Sequence, residues 1–327
     1  MKLSLPLLGP GGEPVDLWRT LTSHGVADLP PMELDPDDRS ATVTIPLRGA
    51  RPRTVRIGMD GGGHATIEVP GPPVGARVRE EILACCRRIL ALDRDLSGFY
   101  ALAAVDPELA WVTEGAGRMV RSATVFEDVV KTLCTTNCSW ALTTRMVRAL
   151  VAELGAPAPR APEGTWRGRA FPTPSAIASM PEAFYRERVR AGYRAPHFTR
   201  LARLVLDGDV DLGSVLPESG LDDDEVEAIL LGLPGIGPYA AAHVMHVVGR
   251  HSRLILDSWT RPTYARLHGR AKPYADVTIA RRFRRYGPYA GLAFWLVLTK
   301  GWVPATSGLP AAPAGKADRS NQEGGDA

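Results

Sequence analysis

The stretch VEAILLGLPGIGPYAAAHVMHVVG, residues 226–249, decides how the rest of this chain is read. An apolar helical pattern runs into Leu-Pro-Gly-Ile-Gly-Pro, and a second helix rich in small residues begins at once. Gly235 and Gly237 are expected to take backbone geometry closed to other residues. The amides that open the second helix then face outward with the positive end of its dipole. Such a turn binds a nucleic-acid phosphate without reading sequence. This is a helix-hairpin-helix signature, although an ordinary helix-turn-helix corner can use the same glycines.

The next informative run is SRLILDSWTRPTYARL, residues 252–267, where a short apolar stretch stops at Asp257 and a polar helix start follows. Asp257 reads as an N-cap or as a functional carboxylate. It stands twenty residues after Gly237, the length of one helix and a return, so it can face the same cleft as the hairpin.

Working outward, the whole chain has 327 residues, 45% hydrophobic and 23% charged, enough for a large core and about two domains. No apolar run is long enough to span a bilayer, so no membrane partner is expected. In the opening MKLSLPLLGPGGEP, Pro6, Gly9 and Pro10 interrupt any signal core, and a cytoplasmic location is expected. Cys85, Cys86, Cys134 and Cys138 fit neither a zinc pattern nor a secreted disulfide framework and read as reduced thiols. The net charge of +3 does not by itself indicate nucleic acid. Arginine greatly outnumbers lysine, and the cluster Arg186, Arg188, Arg190, Arg194 and Arg200 is either a source of phosphate contacts or a solvated helix face.

Residues 1–76 carry one short helical pattern around Val15 and Leu21 and the alternating runs ATVTIPL, RTVRIGM and HATIEV, which predict a small antiparallel sheet. Residues 77–303 turn to helical periodicity from VREEILACCRRILAL onward. In FEDVVKTLCTTNCSWALTTRMVRALVAELG the polar TTNCS breaks one pattern into two helices. FPTPSAIASM starts another. Residues 304–327 lack any apolar period and are expected to be a disordered tail. The fold class is therefore α+β, a mainly helical core preceded by a small sheet domain.

With these motifs in order, the chain resembles the helix-hairpin-helix DNA glycosylase superfamily, which pairs an LPGxG hairpin with an essential aspartate about twenty residues later. VFEDVVKTLCTTNCSWALTTRMV is similar to the family's early helix pair with its DNA-invading loop, GYRAPHF to the segment before the hairpin, and RYGPYAGLAFWLVL to the closing helix. The N-terminal sheet resembles the extra domain of the 8-oxoguanine and 3-methyladenine glycosylase II branches. The resemblance implies double-stranded DNA as partner, a monomer, base flipping, and Asp257 as the catalytic carboxylate that stabilises the sugar cation and orients water. It implies DNA contacts at Leu233, Gly235, Ile236, Gly237, Asn137 and Arg194, a base pocket walled by Tyr239, Trp140 and Trp259, and a monovalent cation on the main-chain carbonyls of Leu231, Leu233 and Ile236. Each aromatic also has a packing reading, Asn137 a helix-breaking one, and His243 and His246 read as packing or DNA-facing residues.

Two departures narrow the activity. Members that also cut the strand carry a lysine two positions after the second hairpin glycine, where this chain has Tyr239, which cannot form a Schiff base. No cysteine follows Cys138, so no iron-sulfur cluster is expected and no cofactor is required. The sequence therefore points to a monofunctional glycosylase, first for alkylated purines, with oxidised guanine second. A catalytically inactive lesion-binding protein on the same scaffold and an unrelated helical interaction protein are the competing readings.

Overall fold

Strands form where β-branched and apolar residues alternate with polar ones, because only that period keeps one face of a pleated ribbon dry. The computed structural model describes residues 1–303; the expected tail lies outside the described residues. Five antiparallel strands, β1 (Lys2–Pro6), β2 (Met32–Asp35), β3 (Ser40–Leu47), β4 (Ala50–Met59) and β5 (His64–Glu68), lie in the order β1-β5-β4-β3-β2. The three alternating runs are β3, β4 and β5, paired in register as Val43 with Val55 and Ile57 with Ile67. The edge strand β1 falls in the opening run that proline and glycine interrupt, and β2 has only four residues.

The helix Ala76–Ile89, which opens the helical region, covers the buried face of the sheet with Ile82, Cys86 and Ile89. The apolar cluster of the sheet continues through Leu92 to Val120, so packing runs across the sequence boundary at residue 76. An internal ion pair reinforces the seam: Arg118 donates to Glu13 Oε1 at 2.6 Å and to the carbonyl of Arg94 at 2.7 Å, while Glu13 Oε1 also accepts the amide of Leu96 at 2.7 Å. Each buried charge thus has charge-assisted partners, as burial requires.

The polar break read in TTNCS is a tight loop. Helix Val125–Thr135 ends there, Asn137 takes φ +44°, and Ser139 caps helix Trp140–Leu154 by accepting the amide of Leu142. Asparagine tolerates this left-handed geometry better than most residues.

The hairpin begins with a capping box, Asp222 and Glu225 satisfying each other's backbone donors at the head of helix Asp223–Leu231. The turn folds through Gly235 at φ +78°, and helix Pro238–Val248 starts on a proline whose missing N–H costs nothing at that position. Leu233 and Ile236 are buried in the cluster that holds Leu133 and Phe198, so they anchor the turn to the core. The expected glycine requirement holds at Gly235 and is corrected at Gly237, whose φ of −102° is ordinary extended backbone.

Where the sheet region meets the second hairpin helix, imidazoles are packed at unusual density. His24 lies 5.0 Å from His243, His246 lies 5.1 Å from His251, and Trp295 touches His24, His243 and His246. Burial holds His243 down to about 4 and, with help from Arg121 and Arg94, His251 to about 3. Burial, then neighbouring imidazoles, depresses His24 and His246 as well.

The folded protein keeps these rings uncharged while the unfolded chain takes up protons below about pH 6.5, so their stabilising contribution is complete above that pH and declines as pH falls toward the folded values. The melting temperature is expected to hold from pH 7.5 to about pH 6.5 and to drop from there to pH 5 in thermal scans; a flat profile below pH 6.5 would contradict it. Gly235→Ala faces both the positive φ and a collision, because a β-carbon there would stand 2.7 Å from Leu133 Cδ1 and 2.8 Å from His197 Cδ2. We expect it to cost roughly 2–4 kcal/mol in chemical unfolding.

Candidate active site

A cavity of about 690 Å³ opens where the sheet region, the Asn137 loop, the second hairpin helix and the Asp257 segment converge. Asp257, Tyr239, Trp140, Trp259 and Asn137, far apart in sequence, all line it. The lining also includes His24, Asp28, His243, Trp295 and Trp302. The floor is buried, with Trp295, His24 and His243 at 5%, 7% and 8% exposure. The mouth is open, with Trp140, Trp259 and Trp302 at 45%, 37% and 44%. Trp259, Trp295 and Trp302 meet pairwise with ring centroids 5.7 Å apart. Gly25 lets the indole of Trp140 approach, since a β-carbon there would lie 3.0 Å from its ring.

Asp257 is an N-cap that also lines the cavity. Its Oδ1 accepts the amides of Trp259 at 2.8 Å and Thr260 at 2.6 Å, and its own amide donates to Thr260 Oγ1 at 2.8 Å, a reciprocal cap on helix Thr260–Leu267. Oδ2 has no hydrogen bond among the described residues. One oxygen is therefore fixed by the backbone, while the other is unbonded among the described residues. Burial pushes the Tyr239 phenol up, so it stays protonated and serves as an aromatic wall beside the edge of His243, 4.9 Å away.

Asn137 is exposed at the loop tip, its Nδ2 donating to Tyr193 Oη at 3.3 Å. Arg194 requires a correction. It is 3% exposed, its Nε donates to Thr136 Oγ1 at 3.1 Å, and its guanidinium lies over the Tyr193 ring at 4.5 Å. It braces the Asn137 loop from beneath and does not face a ligand. Within the same cluster Arg186 pairs with Glu182 and Arg188 with Glu153, while Arg190 and Arg200 are exposed. Gly237 and Pro238 are exposed at the open end of the second hairpin helix, and a β-carbon at Gly237 would meet nothing within 4 Å. At the turn, the carbonyl of Leu233 accepts the amide of Ile236 at 3.1 Å and keeps a second lone pair. Among the described residues no group of His, Cys, Asp or Glu is arranged to hold a metal, and all four cysteines are free.

Sequence reading missed His24, Asp28, Trp295 and Trp302. His24 and Asp28 flank a short 3-10 turn in the sheet region, and the two tryptophans lie near residue 300, so no local spacing links them to the hairpin.

No family model matches the chain. A probable N-glycosylase/DNA lyase from Methanothermobacter thermautotrophicus is 24% identical over 221 residues, 62% of this chain and 69% of that protein. Among solved structures, the 3-methyladenine DNA-glycosylase from Archaeoglobus fulgidus superposes with a TM-score of 0.70 at 18% identity, over 92% of this chain and 98% of its own. The Clostridium acetobutylicum 8-oxoguanine glycosylase/lyase, solved with double-stranded DNA containing cytosine opposite 8-oxoguanine, gives 0.67 at 18%, over 89% and 93%. Both alignments take in the sheet as well as the hairpin core, and the chain has the fold of the helix-hairpin-helix DNA glycosylase superfamily.

Proposed function

We propose that this protein is a monofunctional DNA N-glycosylase that extrudes a damaged base from double-stranded DNA and hydrolyses its glycosidic bond, with alkylated purines as the substrate class. One observation carries the reading: a single cavity beside the second hairpin helix joins the Asp257 carboxylate to an aromatic wall and, among the described residues, has no lysine in its lining. A base in a duplex is out of reach, so the nucleotide must swing out, and Asn137 at an exposed loop tip is placed to hydrogen-bond the base left behind. The amides of Gly237, Tyr239 and Ala240, at the open end of the second hairpin helix, take a phosphate and set the register of the strand without reading it. Carbonyls of Leu231, Leu233 and Ile236 would hold a monovalent cation beside that phosphate.

As the glycosidic bond lengthens, positive charge grows on the sugar, and the Asp257 carboxylate stabilises it and orients water for attack. The cap bonds to Oδ1 fix the carboxylate before substrate arrives, so little reorganisation is needed at the moment of reaction. Trp259, Trp295, Trp302 and Tyr239 offer the faces that favour an electron-poor or cationic ring. Water as the nucleophile leaves an abasic site and an intact strand. The relative named as a lyase makes strand scission the result to look for against this reading.

Asparagine keeps a side-chain oxygen for the cap, so Asp257→Asn should retain its melting temperature and duplex affinity while base release falls by about 10²–10³-fold or more. The assay is alkali-dependent cleavage of duplexes bearing alkylated, oxidised or deaminated bases. Strand breaks without alkali would refute the monofunctional reading, and tight binding without release from any lesion would favour an inactive lesion-binding protein. Gly237→Ala adds a methyl to open space on ordinary backbone. It should leave unfolding unchanged yet weaken duplex binding about tenfold, because the methyl stands where a phosphate approaches the amides.

A further inference from the structure

We propose that His24 reads the extruded base: its Nε2–H donates a hydrogen bond to an acceptor atom of the purine, a ring nitrogen or an exocyclic oxygen. The inference rests on the glycosylase reading above and deepens it. His24 precedes the 3-10 turn Gly25–Asp28 and caps it, with the amide of Val26 donating to His24 Nδ1 at 3.3 Å. That bond requires a lone pair on Nδ1. In a neutral imidazole the proton must then be on Nε2, which makes Nε2 a donor of fixed identity. Burial first, and the neighbouring His243 second, hold the ring well below the ordinary histidine range, so the neutral form is the one present.

His24 lies in the floor of the cavity, with Nε2 itself buried. The side chain is 7% exposed, lines the cavity, and packs against Trp295 at 5.2 Å and the edge of His243 at 5.0 Å. Nε2 has no hydrogen-bond partner among the described residues. A buried donor left unpaired is costly, and capping alone does not call for an imidazole, because Ser, Asn or Asp would cap the turn without it. A ligand atom arriving in the cavity satisfies the donor. Because the ring is neutral, it donates without repelling a cationic alkylated base.

Binding separates this role from a structural one when turnover is removed by Asp257→Asn. The probes are duplexes carrying the purine that the wild-type protein releases, analogues in which each acceptor atom in turn is replaced by C–H or deleted, and a tetrahydrofuran abasic site. With His24 present, one analogue should bind about tenfold more weakly than the parent purine. His24→Asn keeps an oxygen for the Val26 amide but has no atom at the Nε2 position. It should weaken the parent about tenfold, close the gap between parent and analogue, and leave the abasic duplex unaffected. His24→Gln, which reaches that position with an amide N–H, should restore part of the gap and carries the test if the asparagine variant fails to fold. Base release by the wild type with an unchanged gap in the variants, or an equal loss on the abasic duplex, overturns the role of His24 alone. No base release from any lesion overturns the glycosylase reading and this inference with it.

Discussion

The close approach of the hairpin turn to its neighbours, possible because Gly235 has no side chain, is the constraint on which the site depends. Leu133 and His197 occupy the space that a β-carbon would need. Leu133 belongs to the helix that ends in the Asn137 loop, and the turn leads directly into the helix that carries Tyr239 and His243. One packing contact therefore sets the separation between the loop proposed to enter DNA and the wall of the cavity. Cores are dense enough that such a separation cannot relax freely.

In the proposed reaction one side chain, Asp257, serves stability and chemistry together. Two backbone amides hold Oδ1, a geometry that any capping aspartate would show. What distinguishes it is the location of the helix start, at the edge of an aromatic cavity. A cap is a rigid mount, and a rigid carboxylate is what electrostatic stabilisation of a developing cation requires.

Arginine in this protein is largely structural. Arg118, Arg121 and Arg194 are buried, Arg250 is held by Asp223 and by carbonyls, and several surface arginines are paired with carboxylates. A fork of donors can satisfy carbonyls and carboxylates in several directions at once, which suits seams between elements. This use explains how an arginine-rich chain has a net charge of only +3. The phosphate contact proposed for the main-chain amides at the hairpin adds nothing to that total.

The amino-acid sequence by itself determined the elements whose physics is local. Gly235 and the apolar runs around it predict the hairpin, the alternation in β3, β4 and β5 predicts the sheet, Thr136 and Asn137 interrupt a helical period, and Tyr239 excludes an amine at its position. Those readings rest on backbone preference and on periods of two and 3.6 residues, which a short window contains. Of the edge strands, β2 is too short for alternation to register, and β1 sits beside the prolines and glycines of the opening run. Arg194 was misread because its partners, Thr136 and the Tyr193 ring, become neighbours only when two loops meet. The cavity was decided by tertiary structure alone. Its floor joins His24 from the sheet region, His243 from the hairpin helix and Trp295 from the last described helix, and no linear spacing encodes the packing that brings those three rings together.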